Sequence, residues 1–183
     1  STLNNADLNA RIQTLSDGAN IHFYPSSVIL KDKKWNIENG GELTLRNKFF
    51  FAKNFNIKTE DQLISLFSEL DEESDNNHVT ARLENVNLND FLPYAFTNPS
   101  IQGKLTGDLK MKNPMGDFTI DFKGKADSLT MEDQYIGDIE LGAFADSKSG
   151  NISFKAVTKD TVNIFDIAGS YNYKDSSENA MKA

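Results

Sequence analysis

The chain has 183 residues, 38% of them hydrophobic and 25% charged, and its 27 acidic and 19 basic residues give a formal net charge of −8. This apolar content predicts a folded chain, while the negative charge repels phosphate backbones and anionic membrane surfaces and so argues against non-specific nucleic-acid binding. With no cysteine, a disulfide framework and a thiolate metal site are both excluded.

No stretch approaches the roughly 18 to 20 continuous apolar residues that cross a bilayer as a helix, and no signal-peptide pattern opens the chain. The start "STLNNADLNARIQ" and the end "KDSSENAMKA" lead us to expect a segment of a longer protein, with targeting information outside it. A single β-rich segment over 1–183 is expected, with its core over 8–173 and a disordered tail over 174–183.

In chain order, "GELTLRN" sets Leu43 and Leu45 against Glu42, Thr44 and Arg46, the period of two that marks a half-buried strand. "TEDQLISLFSEL" follows. Its capping-box spacing from Thr59 to Gln62 and apolar residues at 63, 64, 66, 67 and 70 predict a helix, although Ile64, Leu66, Ser68 and Leu70 also alternate. After the acidic loop "DEESDNN", "HVTARLENVNL" alternates through Val79, Ala81 and Leu83. "NLNDFLPYAF" then predicts one or two helical turns near 88–96, limited by Pro93 and placed to plug one end of a sheet.

The longest alternation is "IQGKLTGDLKMK", where Ile101, Gly103, Leu105, Gly107, Leu109 and Met111 oppose Gln102, Lys104, Thr106, Asp108, Lys110 and Lys112. Gly103 and Gly107 mark either weakened strand positions or relief of crowding on the concave side of a curved sheet. Across the turn "NPMGD" this run forms a hairpin with "DFTIDFKGK", which places Phe118, Ile120 and Phe122 on one side. "YIGD" reads as a further turn. "GDIELGAFA" contributes Ile139 and Leu141, "GNISFKAVT" after the turn "SKSGN" contributes Ile152 and Phe154, and "NIFDIAGSYNY" contributes Phe165, Ile167, Tyr171 and Tyr173. The fold class is mainly β, antiparallel-rich, without a fixed-length repeat.

Catalytic signatures are missing. The sequence has two histidines, His22 and His78, and no "GxSxG", "HExxH" or phosphate-cradling glycine loop, so no enzyme is predicted and no cofactor is expected. Asp71, Glu72, Glu73 and Asp75 cluster without EF-hand spacing, and Asp117, Asp121, Asp138 and Glu140 are expected on solvent faces of strands. Trp35 and Tyr24, with Tyr171 and Tyr173, form either a sugar-stacking platform or plain core.

"LENVNLNDFLPY" (Leu83 to Tyr94), then "IQGKLTGDLKM", then "IGDIELGA" (Ile136 to Ala143) resembles, in that order, the recurrent strand, short link, "G-x-L-x-G" strand and later "iGdi.l" strand of the TamB family of translocation and assembly module proteins in its Bacteroidetes form. The likeness runs from about Ile21 to about Thr158. It implies an AsmA-like periplasmic protein anchored in the inner membrane, with a taco-shaped β groove for phospholipid acyl chains travelling between the membranes. It also implies a role in outer-membrane biogenesis, a partner barrel of the BamA/TamA type engaged through other regions of the full-length protein, and a strand at "DQLISLFSEL".

In that reading Ile101, Leu105, Leu109 and Met111 line the groove with Phe118, Ile120 and Phe122, and Ile139, Leu141, Ile152, Phe154, Phe165 and Ile167 extend it. Alternation alone leaves two other readings open: a closed β-sandwich binding module for a carbohydrate or protein ligand, and a structural spacer. Unpaired edge strands further predict edge-to-edge dimers of the isolated segment.

Overall fold

The structure, a computed structural model, describes residues 5–47, 49–70, 77–94, 98–159, 164–175 and 181–182. The acidic cluster Asp71, Glu72, Glu73 and Asp75 lies outside the described residues, as do the end of the expected helix beyond Tyr94 and most of the expected tail.

Strands dominate. β1 (Asn5–Asp7), β2 (Ala10–Leu15), β3 (Gly18–Phe23), β4 (Ser26–Leu30), β5 (Lys33–Ile37), β6 (Glu42–Arg46), β7 (Phe49–Lys53) and β8 (Phe55–Thr59) are short. β9 (Gln62–Leu70), β10 (Asn77–Asn87), β11 (Ile101–Lys112), β12 (Thr119–Met131) and β13 (Gln134–Asp146) are long, and β14 (Asn151–Thr158), β15 (Asp166–Asn172) and the two-residue β16 (Met181–Lys182) complete the chain. Between β10 and β11 lie a helical turn, α1 (Leu88–Phe91), and a 3-10 turn (Leu92–Tyr94), where the sequence predicts a short helix.

The strands form one large antiparallel sheet, ordered β1-β4-β5-β8-β9-β10-β11-β12-β13-β14-β15-β16, and a four-stranded sheet, β2-β3-β6-β7. The large sheet is not closed into a barrel. From β8 onward it is a meander, each strand pairing with its sequence neighbour. The small sheet lies over the large one along a single line, β7 against β9 and β10. Two contacts fix it there: the Ala52 amide donates to Ser68 Oγ at 2.9 Å, and the Phe23 ring meets Phe55 edge-on at 4.9 Å. The closed sandwich that alternation left open is therefore not what these sheets build.

Two local expectations are corrected. "TEDQLISLFSEL" is strand β9, not the helix its propensity predicts, because β8 and β10 supply ladder partners on both sides and tertiary pairing overrides a weak local preference. The capping-box residues Thr59 and Gln62 instead face each other across the β8–β9 hairpin, whose turn takes Glu60 to φ +47°. "YIGD" is not a turn but part of β13. The reversal sits one step earlier at Glu132 and Asp133, both with positive φ (48° and 62°), as a two-residue hairpin that follows the strand twist requires.

Trp35 resolves to core. It is 1% exposed and packs edge-on against Phe91 of α1 at 5.3 Å, which ties the helical turn to the start of the large sheet.

Candidate functional site

The register of the large sheet converts alternation into continuous rows. Directly opposed residues share a face, so Val79, Met111, Ile120, Ala145, Ile152 and Tyr171 form one row across β10 to β15. Ala81, Leu109, Phe122, Ala143, Phe154 and Gly169 form the next. Leu83, Gly107, Gly124, Leu141, Ala156 and Ile167 form the third, and Val86, Leu105, Ala126, Ile139 and Thr158 the fourth. One face of six adjacent strands is thus apolar without interruption by charge.

Cover over this face is uneven. The β9–β10 end carries the small sheet, whose own facing residues are Ile21, Leu43 and the buried Ala52. The fourth row is sealed where α1 packs across β10 and β11. There the Asp90 carboxylate, itself buried, takes the Lys33 ammonium at 2.7 Å and the Gln62 side-chain amide at 3.4 Å, and Gln62 in turn accepts the Asn87 amide at 2.8 Å. A buried carboxylate paired and hydrogen-bonded in this way is tolerated, and it anchors the turn. Toward the other end the cover stops among the described residues. The substantial contacts of β12 to β15 run only to their neighbours in the sheet, and Ile152, Phe154, Ile167 and Tyr171 remain 37%, 48%, 49% and 41% exposed.

Of the residues expected to line a groove, Leu105, Leu109, Met111, Ile120, Phe122, Leu141, Ile152, Phe154 and Ile167 all lie on this face by register, and Ile139 lies there fully buried. Phe118 precedes β12, its carbonyl accepting the Ser147 amide, and Phe165 precedes β15, its carbonyl accepting Thr158. Ile101 stands at the start of β11, beyond a register shift, opposite Met131.

Curvature comes from backbone features that alternation does not display. Gly107 and Gly124 oppose each other so closely that a Cβ on Gly107 would lie 2.5 Å from the Lys123 carbonyl oxygen, and one on Gly124 would lie 2.5 Å from that of Thr106. Past the fourth row, Gly103 (φ +149°), Ser128 (φ +53°) and Gly137 (φ +110°) sit at the register shifts of three adjacent strands and form a crease. The curvature reading of Gly103 and Gly107 is the one this geometry carries.

The opposite face is charged and paired. Arg82 grips Asp108 through Nε (2.9 Å) and Nη2 (3.2 Å), which holds the Asp108 carboxyl below the ordinary aspartate range and raises the guanidinium. Lys104 does the same to Asp61, and Asp127 raises Lys125. Asp117, Asp138 and Glu140 are exposed, as expected, and Asp121 is partly so. These exposed pairs contribute little to stability but keep this side wet.

His22 lies on the small sheet with Nδ1 3.3 Å from Glu42 and its ring edge-on to Tyr24. Among the described residues no cluster of three or more His, Cys, Asp or Glu is arranged to hold a metal ion.

No protein-family model, curated protein or solved structure matches the chain. The chemistry of the site therefore has to be taken from its own two faces: an apolar one with an uncovered half, and a charged one behind it.

Proposed function

We propose that the chain is a segment of a TamB-like envelope protein whose apolar β face carries phospholipid acyl chains. The observation that carries the reading is the uncovered half of that face, where four large apolar side chains in adjoining rows are about half exposed while every neighbouring strand is paired. Apolar patches of this extent on an otherwise charged protein mark a surface with a partner.

An acyl chain suits the surface. It needs no directional hydrogen bond, and it gains about 0.8 kcal/mol per methylene removed from water, so ten methylenes represent about 8 kcal/mol. No side chain acts as a catalyst in this reading. In it the full-length protein is periplasmic and anchored in the inner membrane. It passes lipid toward the outer membrane, and a BamA/TamA-type barrel engages regions outside this chain.

The test is native mass spectrometry with lipid extraction on the protein purified without detergent, beside the Phe154→Asp/Ile167→Asp variant. Both residues are about half exposed, so the variant should unfold with nearly the parent midpoint, yet two carboxylates facing the track should expel an acyl chain. Bound phospholipid in the parent and none in the folded variant is the expected result. A parent without lipid, or a folded variant that keeps it, overturns the assignment.

A further inference from the structure

A sizeable hollow lies on the charged face. It has a volume of about 880 Å³ and is lined by His78, Asp108, Lys110, Lys112, Thr119, Asp121, Lys123 and Phe144. We propose that it binds an anionic saccharide, with a sugar ring on Phe144 and the acid group between the lysines.

The electrostatics favour an anion there. Asp108 is already held by Arg82, and Lys110 and Lys112 form no ion pair among the described residues. Asp121, 4.0 Å from Lys123, is the other carboxylate lining the hollow. Three ammonium groups against one available carboxylate make a locally positive concavity on a chain of net charge −8, and a concave site focuses that field.

Phe144 is the second observation. It sits on the polar face with Asp121 and Ser153 as its cross-strand neighbours, and it is 43% exposed. A partly exposed ring flanked by hydrogen-bonding groups suits a ligand that is apolar on one face and hydroxylated at its edge. Lys110 faces Asp121, which faces Phe144, so ring and ammonium are two strands apart, about 10 Å. That spacing suits a sugar carrying a pendant acid, and the volume lies in the usual range for small-ligand sites.

A lipid whose tails occupy the apolar groove cannot supply this anion. Lys110 points to the side of the sheet opposite Leu109 and Met111, and the sheet itself intervenes. The inference is therefore independent of the lipid reading.

The site is tested by titrating the 15N-labelled protein with trigalacturonate and with mannose 6-phosphate, beside maltotriose and inorganic phosphate. Saturable amide shifts along β10 to β13 with either acidic sugar are expected, and which one binds names the acid group. Binding should fall about tenfold in Lys110→Gln/Lys112→Gln and in Phe144→Leu, which keeps apolar volume without an aromatic face, while lipid retention stays unchanged. All three side chains are substantially exposed, so the fold should persist, as thermal unfolding checks. The proposal is overturned if neither acidic sugar gives saturable shifts, if maltotriose binds as well as they do, or if inorganic phosphate binds equally and Phe144→Leu changes nothing.

Discussion

Replacing Gly107 by alanine tests whether close backbone approach shapes the apolar face. The new Cβ would stand 2.5 Å from the Lys123 carbonyl oxygen and 2.6 Å from Gly124 Cα, both backbone atoms that no rotamer change can move. Favourable separations begin near 3.5 Å, so β11 and β12 must part by about 1 Å. Overpacking of this kind costs about 1 to 3 kcal/mol. With a urea dependence of about 1 to 3 kcal/mol per molar, the unfolding midpoint should fall by about 1 M. Gly142→Ala is the control: its Cβ would meet nothing nearer than the Phe122 carbonyl oxygen at 3.9 Å, so the substitution should be neutral or stabilise by about 0.4 to 1 kcal/mol. The Gly107→Ala/Gly124→Ala double variant should cost less than the sum of its parts, because the first substitution already separates the strands the second would crowd. Equal midpoints for Gly107→Ala and Gly142→Ala would refute the reasoning.

Two further outcomes are expected. Trp35→Ala removes a 1%-exposed side chain and the ring that Phe91 rests on, so it should cost about 3 to 5 kcal/mol in a urea melt and speed hydrogen exchange at α1; a loss under about 1 kcal/mol would show that α1 is held without it. Asp108 has a depressed folded-state pKa, so its contribution to stability is present above the ordinary aspartate value of about 3.9 and is lost as pH falls through the depressed value. In Arg82→Gln the Asp108 carboxyl should titrate closer to that ordinary value by NMR, and an unchanged titration would remove Arg82 as the cause.

The long strands were legible in sequence because each has one charged and one apolar face, and a period of two is the imprint of that asymmetry. The same logic failed where both faces are covered. "FFFAK" forms β7 with Phe49 and Phe51 stacked at 5.9 Å on one side, while Ala52 is buried against β9 on the other, so the run shows no alternation. In β9, Leu63 and Phe67 fill the polar face, Phe67 lying under the Arg82 guanidinium at 5.3 Å, and their presence created the false helical period. Of the crease residues only Gly103 carries a curvature signal in the sequence, because Gly137 reads there as part of a turn. Ser128 bends its strand from a residue type that carries no turn signal, and its amide is held by Asp138 at 2.8 Å, a contact that exists only after β12 and β13 pair. Lys110 and Lys112 read only as polar-face positions, Phe144 carries no signal of its own, and only the register gathers them.

The geometry also constrains how a lipid would lie. Across β10 to β15 there are five inter-strand steps, and at about 4.8 Å each the rows run for about 24 Å. A leaflet of a bilayer holds about 15 Å of hydrocarbon, so the rows are long enough to hold an acyl chain laid across the strands. Sliding along the strands ends at the fourth row, where α1 covers Leu105 with its Asp90–Lys33–Gln62 anchor behind. The rows themselves lead toward β15, where Ile167 and Tyr171 are exposed and the two-residue β16 leaves most of the β15 edge without a partner among the described residues. An uncovered apolar face beside an unpaired strand edge gives the row a natural continuation in one direction only: a further strand added at β15 would extend the ladder and the apolar track together.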